Sequence, residues 1–483
     1  MKKFILIFLT CCLTTVPICQ AGVVYQPPEE MWDSWLLQDG DDYHLFFLVD
    51  GDIGRAVSQD LIHWKHLPMI KNLASEGDWD ESGMHMTGCT AKHDGKYYLS
   101  YGSGEGRPIG LIVSDDLVNW KRVGDPVLPQ KPPYQPGDWR DLSSYWNDEK
   151  QQWDGYLFGI HAKTQRSSIV YVTSKDYLNW TYHEPIFISD SYSRTNKGFV
   201  CLEVPDLFEM GGKHYIMFSS IQSRKQHTSG REDASGTWYL TADKREGPYH
   251  VPENPLLLGS GMGRHDHYVG RTVMYKGDRL VYHHNWGDQT VDWSTPKLLN
   301  KGKDDELFMT YWPALDCLKT KPLFNQKSIT VATDKGFNFK EHVIKANAAD
   351  FMLTCDIDLN DAKSLSIFWR VAKESNTYGL KIEPDTAAFS IVQLEKSLKY
   401  KANTYHTYVK DRYTNKNLCE QNINLRLMVR KGRSEIYIND RWIFNVGLKD
   451  ISEKGAFVLL AEQGRANVKN LEISELQPLV LQK

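Results

Sequence analysis

Apolar and aromatic residues alternate with polar ones along this chain in short runs, and a turn signal opens run after run. Asp39-Gly40-Asp41-Asp42 opens Tyr43-His-Leu-Phe-Phe47, Asp94-Gly95-Lys96 opens Tyr97-Tyr-Leu-Ser100, and Asp154-Gly155 opens Tyr156-Leu-Phe158. The signal recurs at Gly211-Gly-Lys-His-Tyr215 and at Lys276-Gly-Asp-Arg-Leu280. Asp-Gly ahead of aromatic and branched residues reads as a hairpin turn entering a strand. The first three runs are each followed by one phrase: Ser58-Gln-Asp-Leu-Ile-His-Trp64, Ser114-Asp-Asp-Leu-Val-Asn-Trp120 and Ser174-Lys-Asp-Tyr-Leu-Asn-Trp180. A spacing of roughly sixty residues exceeds a two-helix repeat and suits a four-stranded blade with generous loops. Asp60, Asp116 and Asp176 are read as turn formers, and the three Trp residues as packing between strands.

Five such units predict a five-bladed β-propeller whose innermost strands converge on a central funnel. If each Tyr-rich run is a second strand, the segment about ten residues earlier is the innermost one. Its leading residues are Asp33, Thr87, Asp141, Glu203 and, in Arg264-His-Asp-His267, either His265 or His267. Three of these places are acids, found by their position in the repeat.

Residues 22–323 are assigned to the propeller. From 324 to 483 the strands alternate without the Trp phrase, as in Phe351-Met-Leu-Thr-Cys-Asp-Ile-Asp358, Leu425-Arg-Leu-Met-Val429 and Ser434-Glu-Ile-Tyr-Ile438. That texture predicts a C-terminal β-sandwich and an all-β chain. Lys2-Lys3, the apolar run from Phe4 to Val16 and Cys19-Gln-Ala21 make residues 1–21 a secretory signal peptide, so the chain is expected to be exported. Lipid attachment at Cys19 is the rival reading, and bulky Ile18 argues against it. The run is too short for a stable membrane span.

Composition narrows the partners. A formal net charge of -4 without a basic cluster argues against nucleic acid, and 12% aromatic residues suit a protein that handles sugar rings. Cys89, Cys201, Cys317, Cys355 and Cys419 are odd in number and lack C-x-x-C spacing. They are read as mostly buried thiols, neither a disulfide frame nor a zinc site. His265 and His267 are read as pocket lining; no metal and no cofactor are expected. The oligomeric state is left open.

Cleaving a glycosidic bond takes a carboxylic acid to protonate the leaving oxygen and a carboxylate to attack the anomeric carbon or activate water. Glu203, between Leu202 and Val204-Pro205, has the drier setting expected of the acid. Asp33, flanked by Trp32 and Trp35 as sugar-stacking surfaces, is the expected nucleophile. Asp141 follows Arg140, whose charge should keep it ionised, so it is expected to hold hydroxyls and stabilise positive charge. Thr87 and Arg140 complete the expected lining. A carbohydrate-binding propeller without catalysis is the rival from another class, and would have no need of all three acids.

These pieces, in this order, resemble glycoside hydrolase family 32, the invertases, levanases and inulinases. Met31-Trp-Asp33 loosely matches the first acidic motif, Arg140-Asp141-Leu142 the Arg-Asp-Pro motif, and Glu203-Val-Pro the Glu-Cys-Pro motif. The hairpin from Leu425 to Asn439, with Glu435-Ile-Tyr-Ile-Asn-Asp440, has a counterpart in the family's sandwich. The resemblance implies a retaining hydrolase of β-fructofuranosides with Asp33 as nucleophile, Glu203 as acid/base and Asp141 as transition-state stabiliser. Departures from the motifs are Trp32 for Asn, Ser34-Trp-Leu for Pro-Asn-Gly, Leu142 for Pro and Val204 for Cys. Family 43 arabinanases and xylosidases share the three-acid plan with an inverting mechanism and are the alternative.

Overall fold

A computed structural model describes residues 23–104, 108–190, 199–220, 236–259, 267–286, 291–333, 339–372, 375–394, 407–419, 422–430, 432–448 and 450–478. The expected signal peptide and His265 lie outside them. The described residues are nearly all strand and turn.

Four of the five turn signals in the sequence join the first two strands of an antiparallel meander; Asp154-Gly155 instead lies inside Gln152–His161, paired with Tyr145 and Ser144, and the turn there falls at residues 148–151. Trp32–Asp39, Asp42–Val49, Asp52–Ser58 and Lys65–Ile70 form the first sheet, and Met86–His93, Lys96–Gly102, Ile109–Ser114 and Trp120–Arg122 the next. Tyr134–Asn147, Gln152–His161, Arg166–Ser174 and Trp180–Tyr182 follow, then Glu203–Met210, Lys213–Ser220, Gly236–Ala242 and Leu256–Gly259. Tyr268–Tyr275, Asp278–Trp286 and Val291–Ser294 make a last meander, whose outer edge is completed by Val23–Tyr25 from the other end of this region. Every first strand packs beside the first strand of the next sheet, and Tyr268–Tyr275 lies back against Trp32–Asp39. This is the layout of a propeller.

The repeated phrase makes the same turn three times. Asp60, Asp116 and Asp176 each accept backbone N–H bonds from the residues two and three positions on, at 2.7 to 2.9 Å. Leu61, Leu117 and Tyr177 take φ of 60°, 61° and 65°, and each phrase's indole N–H bonds back to that residue's carbonyl. The Asp side chains thus stabilise a left-handed turn that would otherwise be strained, and the indoles close it.

Two six-stranded layers follow. One runs Arg441–Gly447, Arg433–Ile438, Ile423–Arg430, Phe351–Asp358, Arg465–Leu476, Lys319–Ala332; the other contains Phe339–Ala348, Gly455–Glu462, Ser364–Val371, Thr377–Glu383, Ala388–Leu394 and Thr407–Thr414. Phe351, Leu353, Leu427 and Ile436 from the first layer meet Leu365, Ile367, Phe389 and Phe457 from the second in one apolar core, a β-sandwich. Propeller and sandwich are stitched together. Thr310 pairs with Arg441, and the Tyr311 N–H bonds the Asp440 carbonyl at 2.9 Å. Deeper in, Lys297 and Glu435, both fully buried, are 2.9 Å apart, and Glu435 also accepts from Thr295, Tyr437 and Asn445. The five cysteines among the described residues are free thiols, with Cys89, Cys201 and Cys355 buried and Cys317 exposed.

Candidate active site

Each first strand carries one extra residue near its start. Pairing skips from Trp32 to Ser34, Met86 to Cys89, Arg140 to Ser143, Glu203 to Asp206 and Tyr268 to Arg271, each time with one residue fewer on the partner strand. A bulge of this kind breaks the strict in-and-out alternation and re-aims side chains. Asp33, Thr87 and Asp141 fall in the bulges; in the last two strands the bulge begins at Val204 and Val269, leaving Glu203 and Tyr268 in register with Trp32, Met86 and Arg140. Asp141, Val204 and Val269 all have positive φ, at 64°, 52° and 52°. Backbone strain collected at one level of neighbouring strands marks a site.

The three acids converge there. Arg140 Nη2 donates to Glu203 Oε1 at 2.7 Å, its Nε lies 3.7 Å from Asp141 Oδ2, and it also donates to Asp138. The Tyr268 hydroxyl donates to the other oxygen of Glu203. Asp141 Oδ2 accepts the Val204 N–H at 3.1 Å, which ties the second acid to the strand of the third. Thr87 donates to Asp33 Oδ2, and His284 Nδ1 stands 3.7 Å from Asp33 Oδ1. Burial pushes the Asp33 carboxyl up to about 6, with Thr87 opposing and the charge of Glu203 adding to the shift. Burial pushes Asp141 up to about 7, opposed by Arg140 and reinforced by Glu203 and Asp33.

The sequence expected Glu203 in the driest place and Asp141 held ionised by Arg140. The structure reverses the two surroundings: the Asp141 side chain is 3% exposed and that of Glu203 18%. Arg140 spends its shortest contact to the triad on Glu203, too little to offset the burial of Asp141. Trp35 is also corrected. Its indole is 1% exposed, stacks on Phe46 at 5.9 Å and donates to Thr90 Oγ1 at 2.9 Å, so it packs the core and cannot meet a sugar. Through the single extra residue at Asp33, Trp32 and Trp35 stand opposite Leu48 and Phe46, two places apart on the partner strand and so on one face; Trp35, farther along the strand, is enclosed, while Trp32 at its start stays half-buried beside His284. His267 is buried too, its ring 5.4 Å from His283 and 5.9 Å from Trp442, at the sandwich side of the last meander. Asp206 accepts from Tyr145 at 2.9 Å and from the Thr272 N–H and hydroxyl at 2.9 and 2.8 Å, so it binds neighbouring first strands together.

Tyr268 and His284 were not found by sequence reasoning. Tyr268 stands in the last first strand at the place in register with Glu203, so counting back from the Gly277 turn by the spacing of the fourth repeat would have reached it. Among the described residues no group of His, Cys, Asp and Glu side chains is arranged to hold a metal ion.

The sequence model of the Glycosyl hydrolases family 32 N-terminal domain matches residues 36–292, more than half of the chain. The chain belongs to glycosyl hydrolase family 32. The matched stretch contains Asp141 and Glu203 and begins just after Asp33, where the motif departs most. Among curated relatives, levanase of Bacillus subtilis (strain 168) is 27% identical over 274 residues, 49% of this chain and 36% of that protein. Acid beta-fructofuranosidase 1, vacuolar, of a Rosa hybrid cultivar is 29% identical over 319 residues, 60% of this chain and 50% of that one. The matches thus span half or less of these relatives' lengths. Among solved structures, Bombyx mori GH32 beta-fructofuranosidase superposes with a TM-score of 0.69 at 16% identity, covering 96% of this chain and 97% of that one. Fructan 1-exohydrolase IIa from Cichorium intybus gives 0.68 at 13%, covering 95% and 97%. At these identities the likeness is one of fold.

Proposed function

We propose that this protein is an exported hydrolase of β-fructofuranosides, acting with retention through Asp33 as nucleophile, Glu203 as acid/base and Asp141 as transition-state stabiliser. In this reading residues 22–323 are a five-bladed propeller with the triad at its axial funnel, residues 324–483 are a sandwich, and residues 1–21 direct export. The observation that carries it is the bridge from Arg140 to Glu203 and Asp141, with Asp33 close enough for its charge to act on Asp141. Family membership and the beta-fructofuranosidase and levanase relatives favour β-fructofuranosidic substrates over the arabinan and xylan alternative.

Each residue then has a task. Asp33 attacks the anomeric carbon as Glu203 gives its proton to the leaving oxygen. The carboxylate so formed on Glu203 is met at once by donors already in place on Arg140 and Tyr268, which need no reorganisation. Asp141, enclosed and close to the ring, ionises against the positive charge that develops on the sugar. Trp32, half-buried at the first bulge, supplies an apolar face for the ring.

The test is a panel of levan, inulin, sucrose, arabinan and xylan, with product anomer followed by NMR before mutarotation. Fructose released from a fructoside with retained configuration is expected. Turnover of arabinan or xylan alone, or an inverted product, refutes the reading.

A further inference from the structure

His284 has no task in the chemistry above, yet its ring nitrogen stands 3.7 Å from the attacking carboxyl. It stands on Asp278–Trp286, opposite Tyr268 in register, and its side chain is wholly buried. Its ring lies 5.3 Å from that of Trp32 and 6.4 Å from that of Tyr268, so aromatic surfaces border it on two sides. The two oxygens of Asp33 are therefore not equivalent. Oδ2 accepts the Thr87 hydroxyl, while Oδ1 faces His284 Nδ1 from 3.7 Å, beyond hydrogen-bond distance. An oxygen already engaged by a donor is the poorer nucleophile, which leaves Oδ1 to attack.

We propose that His284 is a positioning residue for the second half of the reaction, where it steadies the negative charge that returns to Asp33 Oδ1. The inference rests on the reading of Asp33 as nucleophile. In the first half, Oδ1 bonds to the anomeric carbon as the bond to the leaving oxygen breaks and that oxygen takes the proton of Glu203. In the second half, water bonds to the same carbon and gives its proton to Glu203, and the electron pair of the C–Oδ1 bond returns to Oδ1. The departing group is thus a carboxylate whose charge is disfavoured by burial and by nearby Glu203. On the other flank stand Thr87, already committed to Oδ2, and His284, whose Nδ1 can close on Oδ1 once charge builds there. A preorganised donor is worth about a hundred- to a thousandfold in the step it serves, and one that must first close from 3.7 Å is worth less, about tenfold. In the first step Oδ1 gives up charge as it bonds to carbon and the charge builds on Glu203 instead, so that step gains nothing from this group.

His284→Met removes the donor and keeps bulk; His284→Gln keeps an N–H. The enzymes are quenched during steady turnover of the panel's best fructoside, and the peptide bearing Asp33 is weighed for an added hexosyl group. In His284→Met the adduct is expected to accumulate, with kcat and KM falling together by about tenfold. His284→Gln should recover much of that loss. Should His284→Met fail to fold, His284→Ala is used with added imidazole, which should speed decay of the adduct. A fall in kcat/KM with no rise in adduct, or no response to imidazole, overturns the assignment of His284. Turnover without any adduct on Asp33, in wild type and variants alike, overturns the nucleophile itself.

Discussion

Asp141→Asn should make the protein more stable and nearly inactive, and the gain should depend on pH in a defined direction. The carboxyl of Asp141 is raised from 3.8 to about 7 in the folded state, chiefly by burial. Below about pH 4 it is protonated in folded and unfolded chains alike and contributes no difference. Between pH 4 and 7 the unfolded chain releases the proton while the folded one retains it, so the folded state loses stability as pH rises. Above 7 the whole penalty is present. A shift of about three units at about 1.4 kcal/mol each sets its upper limit near 4 kcal/mol, and because Asp33 and Glu203 share the charge, about 2 kcal/mol is the working figure. Asn fits the same space and still accepts the Val204 N–H through its amide oxygen. Urea denaturation followed by tryptophan fluorescence at pH 4 and pH 8 reads the effect. The variant's midpoint should exceed that of wild type at pH 8 and match it at pH 4, while kcat/KM falls by about a hundredfold or more. A variant less stable than wild type at pH 8, or a gap that does not change with pH, refutes the claim that this carboxyl is buried against its own charge.

Three further outcomes are expected. Asp33 must be ionised to attack, so kcat/KM should fall as pH drops through about 6; Thr87→Val removes the bond that lowers its pKa and should move that limb upward by about one pH unit, checked in a pH–rate profile. Glu435→Ala leaves Lys297 buried without its carboxylate and should cost about 3–5 kcal/mol in denaturation, whereas Lys297→Met with Glu435→Leu should recover most of it. Trp35→Ala should cost about 3–5 kcal/mol and leave the KM of the folded fraction unchanged, while Trp32→Ala should raise KM with little loss of melting temperature.

Much of this architecture was legible because it is written locally. An Asp that accepts the backbone N–H groups two and three residues on leaves its mark within seven letters, and four of the five turn signals fix where second strands begin, Asp154-Gly155 being the one that lies inside a strand. From those turns, counting backward reached Asp33, Thr87, Asp141 and Glu203. What failed was anything decided by one inserted residue or by distant pairing. Alternation places Trp32 and Trp35 on opposite faces, the bulge at Asp33 returns them to one face, and packing by neighbouring strands then encloses Trp35 and leaves Trp32 half-buried beside His284. The surroundings of Glu203 and Asp141 were inferred from their sequence neighbours, but burial of a carboxyl is set by adjoining strands: Val204 covers Asp141, and Tyr268 and Arg140 reach Glu203. His284 meets Asp33 across some 250 residues of chain through the pairing of its hairpin, and no short pattern announces that. The Lys297–Glu435 pair is hidden for the same reason, since its halves lie in different domains.

The central claim is that Asp33, Asp141 and Glu203 serve one sugar. A crystal structure of Glu203→Gln soaked with sucrose tests it most directly. A fructosyl ring held with its anomeric carbon facing Asp33 Oδ1, its hydroxyls on Asp141 and its glycosidic oxygen at residue 203 is the predicted result. A sugar seated elsewhere on the protein, with Asp33 and Asp141 out of its reach, would contradict it.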